Sequence, residues 1–207
     1  MEIRENIIKQ KLTAGEIATV VSGFNSPDII DFLGQFGFDG AWIEAEHGPT
    51  DFSDIPNLTR ACDLWGMSSV VRVRENNYSL IYRTLDLGAQ GIVVPHVDTA
   101  QDAKDLVRAT RFSPVGARGM FSGRQSWGVE NYLEEAKSSI DADILLVLLD
   151  LNTKSGVFYS DPNTFNNFLR SQSFDKQIGG LYALLTYGSW GLLPIYWKLL
   201  YTASALE

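Results

Sequence analysis

Residues 68–95 read Ser68-Ser69-Val70-Val71-Arg72-Val73-Arg74-Glu75-Asn76-Asn77-Tyr78-Ser79-Leu80-Ile81-Tyr82-Arg83-Thr84-Leu85-Asp86-Leu87-Gly88-Ala89-Gln90-Gly91-Ile92-Val93-Val94-Pro95. The run Ser68–Val73 predicts a short strand that is apolar on both faces. Tyr78–Leu87 predicts a helix, with Gly88 as its stop. Gly91–Pro95 predicts a second strand. Strand, helix and strand within 28 residues is the pattern of a parallel pair joined by a helical crossover.

The same unit recurs on both sides. Upstream, Ala18–Phe24 predicts a strand, and Ser26-Pro27-Asp28 opens a helix with Ser as N-cap and Pro at the first helical position. Ile29, Ile30, Leu33 and Phe36 give that helix one apolar face, and Gly37 ends it. Gly40–Ala45 is the next strand, and Asp51–Trp65 the next helix, stopped by Gly66. Downstream, Thr99 caps a helix with Ala103, Leu106, Val107 and Thr110 on one face. A polar loop (Ser113–Gly128), a helix near Val129–Ser139 and a strand at Ile144–Leu149 follow. Five β/α units fit either an open doubly wound sheet or a (β/α)8 barrel. No Gly-x-Gly-x-x-Gly follows the first strand, which weighs against a dinucleotide fold.

Past residue 151 this alternation stops. Residues 1–151 hold 13 Lys+Arg against 22 Asp+Glu, a net of −9, while residues 152–207 hold 4 against 3, a net of +1. The later segment is aromatic (Tyr182, Tyr187, Trp190, Tyr196, Trp197, Tyr201) and has no clear period. Its apolar stretch at 181–201 is interrupted by Gly188, Gly191, Pro194 and Lys198, so no membrane span is expected. Two parts are therefore expected, 1–151 and 152–207.

Composition narrows the function. The chain has 207 residues and a net charge of −8, which argues against nucleic acid as a partner. One cysteine, Cys62, excludes a disulfide framework and a cysteine-based zinc cluster, and reads as a packed thiol. The N-terminal MEIRENIIKQ has no apolar core of a signal peptide, so a cytoplasmic protein is expected.

Sites in parallel α/β folds gather at the C-terminal ends of strands. Glu44, Glu46 and His47 follow the second strand. A carboxylate beside a histidine can orient the imidazole as a general base, and a solvated strand end is the plainer reading. Arg72 lies in an apolar strand and needs an anion, either a substrate or Glu44 or Glu46. His96 follows Pro95 and more readily caps a loop than acts in catalysis. Asp150, after six apolar residues, offers an oxygen ligand for a divalent cation. The Pro114–Arg124 loop, with Arg118 and Gly119, could bind a substrate carboxylate or be ordinary surface.

Taken together these strings resemble one family. Ile43-Glu44-Ala45-Glu46-His47-Gly48-Pro49, Val71-Arg72-Val73, Leu85–Val97 and Arg111-Phe112-Ser113-Pro114-Val115-Gly116-Ala117-Arg118-Gly119 are similar, in order and spacing, to the HpcH/HpaI aldolases over about residues 6–150. The resemblance implies a (β/α)8 barrel and a class II aldolase dependent on a divalent metal (Mg, Mn or Co). Such enzymes reversibly cleave 4-hydroxy-2-oxo acids into pyruvate, or a related 2-oxo acid, and an aldehyde. It implies His47 as the catalytic histidine, Glu44 as its dyad partner where the family often has Asp, and Arg72 as the contact to the oxo acid. It implies Asp150 as first metal ligand where Glu is usual, and Arg118 and Gly119 of the loop above are expected to be substrate-binding. Family members are usually homo-oligomers that exchange C-terminal elements.

The Glu-His-Gly-Pro string favours an aldolase over the related citrate lyase β type acting on an acyl-CoA; a truncated, non-catalytic relative is the remaining reading. The family's sixth-strand motif, Gly-Pro-x-Asp-Leu-Ser, has no counterpart in residues 152–207. The expectation is a barrel cut after about five units, with a divergent tail produced by a frameshift, a mis-called exon or truncation.

Overall fold

The computed structural model describes residues 4–121, 126, 127, 129–135, 145–150 and 155–159. The chain runs α1 (Ile7–Thr13), β1 (Val20–Val21), α2 (Pro27–Gly34), β2 (Gly40–Glu44), α3 (Ile55–Leu64), β3 (Ser68–Arg72), α4 (Tyr78–Asp86), β4 (Gly91–Val94), α5 (Ala100–Thr110), α6 (Tyr132–Glu135), β5 (Leu145–Asp150) and β6 (Ser155–Tyr159). The strands form one sheet in sequence order. β1 to β5 pair in parallel, as the alternating pattern requires. β6 pairs antiparallel to β5, with Asp150 opposite Ser155. No pairing joins β6 to β1 among the described residues.

Helix ends follow their local chemistry. Thr99 and Asp102 form a reciprocal capping box at α5, which satisfies two backbone donors at once. Asn77 accepts from the Ser79 and Leu80 backbone at α4. Gly37, Gly66 and Gly88 take positive φ after α2, α3 and α4, a conformation glycine adopts without a Cβ clash. α3 begins at Ile55, four residues later than the pattern suggested. The Asp54 carboxylate accepts the Asp51 N–H at 2.8 Å and holds residues 51–54 as a turn. β1 is shorter than expected because, among the described residues, β2 is its sole strand partner. α1 was not anticipated: Asn6 caps it, and its side chain reaches the Gln90 carbonyl at 2.9 Å.

Side chains alternate across the sheet. Ala41, Ile43, Val71, Val73, Ile92 and Val94 face the helices and pack with Ile30, Leu58, Ile81, Leu85 and Leu106. Each of these buried Val, Leu and Ile side chains contributes roughly 1.5–3 kcal/mol. Cys62 is in this core, as a packed thiol should be. Trp42, Val70 and Val93 face the other way, where Ile8 of α1 covers them. Glu44 and Arg72 continue that second face, two residues beyond Trp42 and Val70. No helix among the described residues is long and apolar enough to cross a membrane, and residues 181–201 lie outside them.

Candidate active site

Register places the polar residues. Glu44 pairs with Arg72, Arg72 with Val93 and Val93 with Val147, one row across β2, β3, β4 and β5. Arg72 and the two glutamates therefore meet where the strands end.

Arg72 lies between two carboxylates. Its Nη1 is 3.4 Å from Glu44 Oε2, and its Nη2 is in contact with Glu46 Oε2. The guanidinium fork suits this double engagement. Its Nε is buried and has no hydrogen-bond partner among the described residues. The expected structural ion pair is present, and both candidate glutamates take part.

Glu44 is also tied to backbone. Its Oε1 accepts from the N–H of Glu46 at 2.9 Å and of His47 at 3.1 Å, and its Oε2 accepts from the Trp42 indole at 3.1 Å. Burial raises this carboxyl, but those three N–H donors and the Arg72 charge outweigh it and hold the group below its ordinary range. The turn after β2 can close this tightly because residue 48 is glycine. A Cβ there would lie 2.5 Å from the Glu44 carbonyl oxygen and 3.1 Å from its Cγ.

The expected dyad of Glu44 and His47 takes a different form. Glu44 holds the His47 backbone, while the carboxylate nearest the ring is Glu46, whose Oε2 is 3.6 Å from Nε2. Three N–H donors and Arg72 already occupy Glu44, and the turn carries the imidazole past it. His96, given the lesser role in sequence, also arrives here, with Nε2 3.9 Å from Glu46 Oε1. Its strand-end position was the only signal in the sequence.

Arg118, expected at the substrate, is held within the protein. Its side chain is 1% exposed and pairs with Asp86, the last residue of α4, through Nε at 3.3 Å and Nη2 at 2.6 Å. The guanidinium also lies over the Phe112 ring, 4.7 Å from its centre. The segment is held by Ala117 N–H to the Arg108 carbonyl, which ties Arg118 into the helix layer rather than the strand mouth. A Cβ at Gly119 would meet no atom of the described residues within 4 Å.

Asp150 is the last residue of β5, three beyond the row that holds Arg72. Among the described residues no three His, Cys, Asp or Glu side chains come together as a cation site.

A parallel α/β sheet with polar residues gathered where its strands end places the protein among α/β folds with sites of this kind. The model of the HpcH/HpaI aldolase/citrate lyase family matches residues 20–173, and the chain belongs to that family. It is 37% identical over 125 residues to the 2-keto-3-deoxy-L-rhamnonate aldolase of Klebsiella pneumoniae, covering 58% of this chain and 45% of that one. It is 31% identical over 153 residues to the Escherichia coli protein of the same name, covering 72% of this chain and 56% of that one. The crystal structure of an HpcH/HpaI aldolase from Desulfitobacterium hafniense superposes with a TM-score of 0.62 at 26% identity, covering 69% of this chain and 56% of that one. The chain thus spans about half the length of the curated relatives it matches.

Proposed function

We propose that this protein is a carbon–carbon lyase of the class II aldolase type. Its substrates would be 4-hydroxy-2-oxo acids, cleaved reversibly to pyruvate or a related 2-oxo acid and an aldehyde. The observation that carries the reading is Arg72, held by Glu44 and Glu46 beside His47 at the strand ends. The names of the relatives support the same reaction class.

Each residue has a task in that reaction. Arg72 binds the negative oxygen of the oxo acid, a charge that grows as the enolate forms. His47, oriented by Glu46, takes the proton of the C4 hydroxyl. The C3–C4 bond then breaks, the hydroxyl carbon leaves as aldehyde, and the electron pair passes into the pyruvate enolate. Protonation at C3 completes pyruvate. Glu44 fixes the turn that carries His47. We assign neither Arg118 nor Gly119 to the substrate.

The family resemblance implies a divalent cation, and Asp150 is the residue proposed to bind it. The described residues do not complete such a site: Glu44 is committed to N–H donors and Arg72, and Glu46 is paired with Arg72. No step is therefore assigned to it. Two glutamates against one arginine still leave an acidic mouth, which an anionic substrate tolerates only with added positive charge.

The break at β6 supports a two-part chain, a partial barrel over 1–151 and a divergent tail over 152–207. Translating the coding DNA in the other two frames tests the tail, and a Gly-Pro-x-Asp segment there is the expected result. For activity, exchange of pyruvate methyl protons and retro-aldol release of pyruvate are measured with and without Mn, Co or Mg. Exchange that needs a metal is expected; none under any condition overturns the lyase reading.

A further inference from the structure

His96 stands just past the end of β4 with φ of +56°, in the left-handed region that side chains rarely take. A glycine or asparagine would sit there with less strain. Strain of this kind at a strand mouth points to a task for the side chain.

The task is visible at Glu46. This carboxylate is largely buried, with 10% of its side chain exposed. His96 Nε2 lies 3.9 Å from its Oε1, while Arg72 Nη2 and His47 Nε2 face its Oε2. Glu44 reaches the group through Arg72. The chain has two histidines, and both converge on this one side chain. The terminal torsion of a glutamate is broad and two-fold, so its oxygens are assigned by what stands on each side. An imidazole stands on one side and a guanidinium on the other.

We propose that His96 is a positioning residue of the lyase site. It holds Glu46 Oε1, so that Oε2 stays turned to Arg72 and to the His47 ring. This rests on the lyase reading above.

Two substitutions in the full chain test it, H96N and H96Q. Asparagine suits the left-handed backbone but is too short to reach Glu46. Glutamine reaches it but suits the backbone less well. Melting temperature should therefore rank Asn at or above His, and His above Gln. The rate of pyruvate methyl-proton exchange with Mn should rank the other way, His above Gln above Asn. For H96N, kcat should fall about tenfold while KM for pyruvate stays within about twofold, because Arg72 is intact. Exchange by H96N at the unsubstituted rate, or exchange that simply follows melting temperature, overturns the inference. If the unsubstituted chain exchanges nothing, the lyase reading fails and this role fails with it. If it exchanges and H96N matches it, the His96 inference alone is lost.

Discussion

Arg72 and Glu46 form the ion pair around which the strand mouth is built. The contact joins β3 to the turn after β2, and Glu44 closes on the same guanidinium from the adjacent register position. Removing the positive charge leaves two carboxylates facing each other with little water. Arg72→Met should cost about 1–3 kcal/mol in denaturant unfolding. Arg72→Lys should recover part of the stability, since one ammonium cannot span both glutamates as the planar fork does. Pyruvate exchange should drop by about a hundredfold or more in both variants. A lysine variant with unchanged exchange would contradict the role given to the fork.

Two carboxylates should make stability fall in acid. Burial raises the Asp39 carboxyl, but Lys11, at 2.5 Å, and two donors from Thr19 outweigh it, so Asp39, like Glu44, lies below its ordinary range. A depressed folded value means that the unfolded chain takes up its protons first as pH falls. The stabilisation is then complete above about pH 4–5 and is lost as pH drops through the folded values. Asp39→Asn and Glu44→Gln should each flatten the acid limb of an unfolding free energy measured from pH 7 to 3. Neither should steepen it.

Much of this arrangement was legible in the sequence, and the parts that were not have physical causes. Thr99 with Asp102, and Gly37, Gly66 and Gly88, mark helix ends by local rules that neighbours do not override. The meeting of Arg72 with a glutamate was legible from an arginine in an apolar strand. Which glutamate faces the histidine was not, because that depends on a turn closing over Gly48. α1 escaped notice because seven residues give too short a period, although Asn6 was its signal. The pairing of Arg118 with Asp86 was not legible, because a Gly-rich loop reads the same whether its arginine meets a ligand or a buried aspartate. The expected span at 136–139 of the helix near Val129 lies outside the described residues.

The Gly48 turn gives a direct contrast with Gly119. Gly48→Ala puts a methyl group against the Glu44 carbonyl and Cγ, and the carbonyl is backbone that cannot swing aside. The turn must open, which moves the Glu46 and His47 N–H groups off Glu44. We expect a loss of about 1–3 kcal/mol by thermal unfolding, together with slower exchange. Gly119→Ala meets nothing within 4 Å among the described residues and should stay within about 0.5 kcal/mol of the parent. Equal melting temperatures for the two variants would mean that the turn is not packed as described.

Arg118 separates a structural from a substrate-binding role. Its guanidinium is buried, paired with Asp86 and stacked on Phe112, so Arg118→Met leaves Asp86 without its cation. Breaking a buried pair from one side is costly, and we expect about 3 kcal/mol. Asp86→Asn should lose a similar amount. The double variant should lose less than the two combined, because the unpaired charge is then gone. Exchange measured well below the melting temperature should fall no further than the folded fraction does. A substrate-binding arginine would behave otherwise: Arg118→Met would raise KM for the oxo acid several-fold in protein that is still folded, and Asp86→Asn would not. Unfolding curves and KM on the same three variants therefore decide between the two roles.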